Sequence, residues 1–242
     1  MTFSVRRSLA VVLLGILGCS SDLILPPSDD GTQIGAMNKL WDDQQTGPVA
    51  EQLLDPLIVE VITENGEPAV GITVTFQVLD PAGGTVAPST ATTNSEGQAV
   101  AYWTFGTLPG SYTVLARITG VEGDTAASDK VAEFHASAHA GEPDTLAPEI
   151  PLLQPGARGE PVEDRPQVRV VDRFGNPVAD VPVAWQVTAG DGQVSSAVTM
   201  TDAEGKASVD WVLGNRIGFH KLTAAIEDAI GSPIVFMAQV FL

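Results

Sequence analysis

Gly66–Val78 reads GEPAVGITVTFQV, and Gly175–Val187 reads GNPVADVPVAWQV, 109 positions later. The likeness continues along the chain: NSEGQAVAYWTFG (Asn94–Gly106) returns as DAEGKASVDWVLG (Asp202–Gly214), and GSYTVLA from Gly110 returns as GFHKLTA from Gly218, both 108 positions on. One slipped residue across roughly fifty marks a duplicated unit rather than a chance match. The period exceeds the roughly 20–50 residues of solenoid repeats and suits an independent β-sandwich of about 100 residues.

Within each copy the residues alternate with the period of two expected of half-buried strands. Ile72, Val74, Phe76 and Val78 share one face, matched by Val181, Val183, Trp185 and Val187. Ala99, Ala101, Trp103 and Phe105 are matched by Ala207, Val209, Trp211 and Leu213. Tyr112, Val114, Ala116 and Ile118 answer to His220, Leu222, Ala224 and Ile226, and Phe134, Ala136 and Ala138 to Phe236, Ala238 and Val240. Val59 and Val61, with Val168 and Val170, open the inward pattern, while Glu60 and Arg169 face out. Trp103 and Trp211 are the expected central plugs. No window past the first eighteen residues sustains a 3.6-residue period, so the fold class is all-β.

The turns agree with strands. Asn65-Gly66 reads as a type I′ hairpin, in which both central residues take positive φ. Asn94-Ser95-Glu96-Gly97 and Asp202-Ala203-Glu204-Gly205 place an Asx residue first and glycine fourth, the pattern of type I.

The motifs G-x-P-x-x-x-x-x-V-x-(F/W)-Q-V, (N/D)-x-E-G-x-A and G-x-x-x-(L/V)-x-A, in order and twice, resemble the bacterial immunoglobulin-like (Ig-like) repeats of the invasin and intimin family, group 1 type. The resemblance covers nearly all of the chain after its leader. It implies two tandem Ig-like β-sandwich domains, 36–139 and 140–242. In that family such repeats form a rigid stalk between an outer-membrane barrel and an adhesive tip. This sequence shows neither barrel nor tip, so the resemblance implies a spacer or protein-interaction module related to adhesion or envelope assembly.

The first eighteen residues read as an address. Arg6 and Arg7 precede a nine-residue apolar run, Leu9–Leu17, about half of the ~20 residues a membrane-spanning helix needs. The run ends Ile16-Leu17-Gly18-Cys19, which resembles the lipobox of bacterial lipoproteins, with Gly18 before the cleavage point and Cys19 as the acylated residue. Leu17 departs from the small residue usual at its position, and ordinary cleavage after Ser20, discarding Cys19, is the alternative. Cys19 is the only cysteine, so no disulfide forms within the chain. Residues 19–35 read as a flexible tether. Ser20 after the cysteine implies, by the same resemblance, delivery to the outer membrane or cell surface, the lipid making the membrane the one clear partner.

Removing Arg6 and Arg7 with the leader leaves ten basic against thirty acidic side chains, a net charge of −20. Such a chain has no electrostatic affinity for nucleic acid. The sequence has no G-x-S-x-G, H-E-x-x-H, Walker or C-x-x-C pattern, and neither an enzyme nor a cofactor is expected. His135 and His139, four apart on one strand, stand about 13 Å from each other, too far to share a metal. Carboxylates gather at Asp42-Asp43, at Asp124 and Asp129, and at Asp191, Asp202 and Glu204, yet without a D-x-D-x-D-G loop, and no metal site is assigned. Tyr112, and His220 in its place, read as hydrogen-bonded corner residues. Fifteen residues separate Ile118 from Phe134 where nine separate Ile226 from Phe236. This longer acidic loop makes Asp124 and Asp129 candidate binding residues for a protein partner. Trp41, outside the inward pattern, is the candidate platform for a glycan.

Overall fold

The structure, a computed structural model, describes residues 33–41, 44–119 and 129–242. Strands β1 (Ile34–Lys39), β2 (Gln45–Pro48), β3 (Leu57–Thr63), β4 (Thr73–Val78), β5 (Thr85–Ala87), β6 (Thr90–Thr92), β7 (Gln98–Thr104), β8 (Gly110–Thr119) and β9 (Val131–His139) build the first sandwich. One of its sheets runs β1-β3-β7-β5 and the facing one β2-β9-β8-β4-β6. The second sandwich follows with β10 (Thr145–Pro148), β11 (Leu153–Gly156), β12 (Gln167–Val171), β13 (Pro182–Ala189), β14 (Gln193–Val194), β15 (Val198–Met200), β16 (Lys206–Ser208), β17 (Trp211–Val212), β18 (Gly218–Ala225) and β19 (Ile234–Val240). Its five-stranded sheet, β11-β19-β18-β13-β15, repeats that of the first copy, and β10-β12-β16 with the pair β14-β17 faces it.

The first strand of each sandwich is split between the sheets. β1 pairs antiparallel with β3, Met37 opposite Val61, and the chain then crosses so that β2 runs parallel to β9, Gln45 opposite Ala136. β10 and β11 do the same against β12 and β19, with Gln154 opposite Ala238. A glutamine fixes each crossing: Gln45 and Gln154 clasp the backbones of Asp55 and Asp164, donating to the carbonyl and accepting from the amide.

Period-two alternation delivers one apolar row per strand to the space between the sheets. Val59, Val61, Val74, Ala101, Trp103, Val114 and Ala116 in the first copy, and Val168, Val170, Val183, Val209, Leu222 and Ala224 in the second, are fully buried. The inward sets expected from sequence are buried throughout, except that Val78, Val187 and Ile226, the last member of each set, pack only partly. Two cores result, one spanning Ile34 to Ala138 and the other Leu146 to Val240.

The hairpin expected at Asn65-Gly66 is not type I′. Gly66 has φ +82°, but Asn65 keeps negative φ, and Gly66 N–H closes a turn on the Thr63 carbonyl. Thr63 N–H then bonds the Glu67 carbonyl, so glycine is the left-handed residue after a type I turn. The same pattern closes at Asn94–Gly97, Asp172–Gly175 and Asp202–Gly205. Asn94 Oδ1 accepts from the amides of Glu96 and Gln98, and Asp202 Oδ1 from those of Glu204 and Lys206. The Gly97 carbonyl accepts from the Val61 amide of β3, and an added Cβ at Gly97 would stand 2.5 Å from the Val61 carbonyl oxygen. That contact, with its copy at Gly205 and Val170, explains the glycine of the E-G-x-A motif.

Candidate functional site

The residues expected to turn corners do so. Tyr112 donates its hydroxyl to the Leu108 carbonyl at 2.9 Å, and His220 Nε2 lies 2.9 Å from the Arg216 carbonyl, four residues upstream in both copies. A carbonyl only accepts, so Nε2 carries the proton of His220, and its Nδ1 is buried with no partner. Each ring lies over a glycine: an added Cβ at Gly83 would stand 2.9 Å from Tyr112, and one at Gly190 would overlap His220. These rings fasten a loop to the sandwich.

The junction between the sandwiches is where the second copy departs from the first. Asp172 Oδ1 accepts from the amides of Phe174 and Asn176 and so makes its turn. Its other oxygen, Oδ2, accepts from the linker amide of Gly141 at 2.9 Å and from Asn176 Nδ2 at 2.8 Å. Asn176 Nδ2 also donates to the carbonyl of Thr107, in the first sandwich, at 2.8 Å. One carboxylate and one amide thereby hold the turn, the linker and the neighbouring domain together. Asp172 is 2% and Asn176 6% exposed. Burial opposes ionisation of Asp172, but donation from the Asn176 amide and from the Gly141, Asn176 and Phe174 backbones outweighs it, and its pKa lies below the ordinary carboxylate value. Arg173, on the same turn, stacks on Phe174 with its guanidinium 4.6 Å from the ring centre. The corresponding first-copy residues are Thr63 and Glu67, so this latch belongs to the second domain alone.

Residues 163–236 match the family model of the bacterial Ig-like domain (group 1). The second sandwich is thus similar to the group 1 Ig-like domain. The first repeats its motifs and its sheet order. Among solved structures the chain is similar to FdeC, an Escherichia coli adhesin, with 17% identity and a TM-score of 0.52 over 86% of this chain and 66% of that one. It also resembles Yersinia pseudotuberculosis InvD, at 18% identity and TM-score 0.45 over 85% and 56% of the two chains. The adhesin InvE of the same organism gives 17% and 0.41 over 88% and 61%. This chain therefore spans less than two thirds of each of those three, and at such identities the likeness is one of fold. No curated protein sequence matches it.

Against that Ig-like frame, the remaining sequence-derived candidates are scattered. Trp41 is 63% exposed on the crossing from β1 to β2. It lies between Lys39, which donates to the Glu133 carbonyl, and Gln44, whose amide donates to the His135 carbonyl. Asp129 is exposed just before β9. Asp124, Asp42, Asp43 and Cys19 lie outside the described residues, as do the leader and most of the tether. Asp202 is committed to its turn. Asp191, exposed, accepts from the amides of Asn215 and Arg216; desolvation works against its charge, but donation from the Arg216 and Asn215 amides and its own, with His220 nearby, outweighs it and lowers its pKa. Among the described residues no three His, Cys, Asp or Glu side chains converge as a metal site. His135 and His139 both point outward on β9, the first bonded to Thr113 and the second to the Ala140 carbonyl.

Sequence reasoning missed the Asp172–Asn176 latch, and also Thr93 and Thr201. Each of these buried threonines accepts from a backbone amide (Ile72 or Val181) and donates to a carbonyl (Ala69 or Val178). Their signal was present, since both copies read Thr-Asx-x-Glu-Gly.

Proposed function

We propose that this chain is a non-enzymatic bacterial cell-surface lipoprotein whose two Ig-like sandwiches form a spacer and protein-interaction scaffold. Cys19 carries the lipid, the outer membrane holds it, and residues 19–35 lift the sandwiches away. The observation that carries the reading is the junction. A buried carboxylate and amide fix the linker to both domains, as an extended spacer requires and a freely jointed pair does not. The adhesin FdeC, whose fold the chain shares, supports an adhesion-related setting. No helix among the described residues is long and apolar enough to cross a membrane.

Two measurements test this. Metabolic labelling with a tritiated fatty acid should mark the wild-type chain and not Cys19→Ser, with both reaching the envelope. Spin labels at Glu96 and Glu204, both exposed in equivalent turns, should give one narrow distance distribution by pulsed electron resonance. Asn176→Ala should broaden it. A broad wild-type distribution would reject the spacer, and label retained by Cys19→Ser would reject the anchor.

A further inference from the structure

The duplicated fold supplies its own control for surface chemistry, because each outward position of one copy has a structural partner in the other. The outer face of the five-stranded sheet shows the largest change. In the first sandwich it is polar and bonded to itself: Thr75 to Thr119, Ser111 to Ser137, and Thr113 to His135. It also carries Arg117 and Glu133. Strand pairing gives the equivalents without ambiguity. Arg117 opposite Thr75 becomes Ala225 opposite Ala184, Glu133 opposite Leu115 becomes Val235 opposite Thr223, and His135 opposite Thr113 becomes Met237 opposite Lys221. On the edge strand Thr90 and Thr92 become Val198 and Met200, which are 50% and 52% exposed. Phe219 and Leu153 continue the apolar surface down the sheet.

Outward strand positions of this face hold no carboxylate and one charge, Lys221. In a chain of net charge −18 this is the surface that a second, equally acidic molecule can approach without repulsion. We propose that it is a self-association surface, on which two copies of this chain pack sheet against sheet about a two-fold axis. The charges set the direction. Lys221 lies three residues before Ala224 on β18, and Glu227, which borders the apolar hollow formed by Pro143, Pro182, Val198 and Ala225, lies three residues after it. An axis across the strands at Ala224 makes β18 antiparallel to its copy and sets each Lys221 opposite the partner's Glu227. An axis along the strands would set Lys221 against Lys221. Such isologous pairing is the commonest closed symmetry. Five strands at about 4.8 Å, about 20 Å long on average, give about 500 Å² per copy and about 1,000 Å² for the pair, at the lower edge of specific interfaces. The dimer is therefore weak, with a dissociation constant of about micromolar order. The proposal does not depend on lipid anchorage, and a failure of either leaves the other standing.

The test is sedimentation equilibrium of the full chain in detergent matched to solvent density. Wild type should show a monomer–dimer equilibrium. The triple variant Ala225→Arg, Val235→Glu and Met237→His installs residues that the first sandwich already carries in the same register, and it should be monomeric with unchanged far-ultraviolet dichroism. Lys221→Glu and Glu227→Lys should each raise the dissociation constant at least about tenfold, and the double exchange should restore it. A monomeric wild type would overturn the proposal and leave the face to another protein. A dimer that survives the triple variant, or is not restored by the double exchange, would overturn it as well.

Discussion

Trp103 and Trp211 occupy equivalent places, 0% and 1% exposed, yet their indole N–H groups meet different fates. Trp103 Nε1 donates to the Gly83 carbonyl at 2.8 Å, whereas Trp211 Nε1 is buried without a partner. Replacing each by phenylalanine separates packing from hydrogen bonding. Both changes remove about 40 Å³ of side chain, which at about 24 cal/mol per Å³ costs about 1 kcal/mol. Trp103→Phe also strips the Gly83 carbonyl of its donor, a further cost of about 1–3 kcal/mol. Trp211→Phe removes a donor whose desolvation was already uncompensated, which returns a similar amount and offsets the lost volume. The expected destabilisation is thus about 2–4 kcal/mol for Trp103→Phe and about 1 kcal/mol or less for Trp211→Phe. Amide hydrogen exchange read by mass spectrometry reports the opening free energy of each sandwich separately, through β7 and β17, which the mixed fluorescence of four tryptophans does not. Equal losses in the two domains, or a larger one at Trp211, would refute the assignment of the indole bond.

The other predictions use the same pairing of copies. Thr93→Val and Thr201→Val each leave a buried amide and a carbonyl (buried at Ala69, half-buried at Val178) unpaired, so each should cost its own domain about 2–4 kcal/mol by the same exchange measurement. Gly97→Ala forces a Cβ to 2.5 Å from the Val61 carbonyl oxygen at φ +75° and should cost about 2–4 kcal/mol; Gly66→Ala, at φ +82° with nothing within 4 Å, should cost only about 1–2 kcal/mol in thermal melts. Because the folded pKa of Asp172 is depressed, the stability it adds to the junction should be fully present above the unfolded carboxylate value of about 3.9 and should fade as pH falls through the lower folded value. Exchange of the Gly141 amide followed from pH 6 to pH 2 should show that loss in wild type and not in Asp172→Asn, with about 3.9 as the upper limit of the transition.

What could be read from sequence followed from how strongly each feature is constrained by its period. A strand buried on one face writes its register into every second residue, and two copies write it twice, so β4, β7, β8 and β9 with their counterparts could be located before any coordinates. The split first strand left no such mark. β1 shows one fully buried residue, Ile34, before its pattern fades, because the strand leaves one sheet for the other within a few residues. The type I′ reading of Asn65-Gly66 failed for a related reason. A dipeptide fixes that one residue has positive φ, whereas the backbone bond from Thr63 to Glu67 decides which turn contains it.

The functional features were hidden for the opposite reason: they sit where the copies disagree. Core positions recur because the fold requires them, and a comparison that seeks recurrence passes over Asp172 and Asn176, since aspartate and asparagine are ordinary turn formers and only the contacts with Gly141 and Thr107 give them a second task. The exchange of Arg117, Glu133 and His135 for Ala225, Val235 and Met237 likewise looks like drift on an exposed face until strand pairing brings the three positions onto one surface. Duplication sets the scaffold free to vary outside its core. In the second copy that variation was used twice, once at the end that meets its neighbour and once on the face that meets solvent, while the packed interior was left almost unchanged.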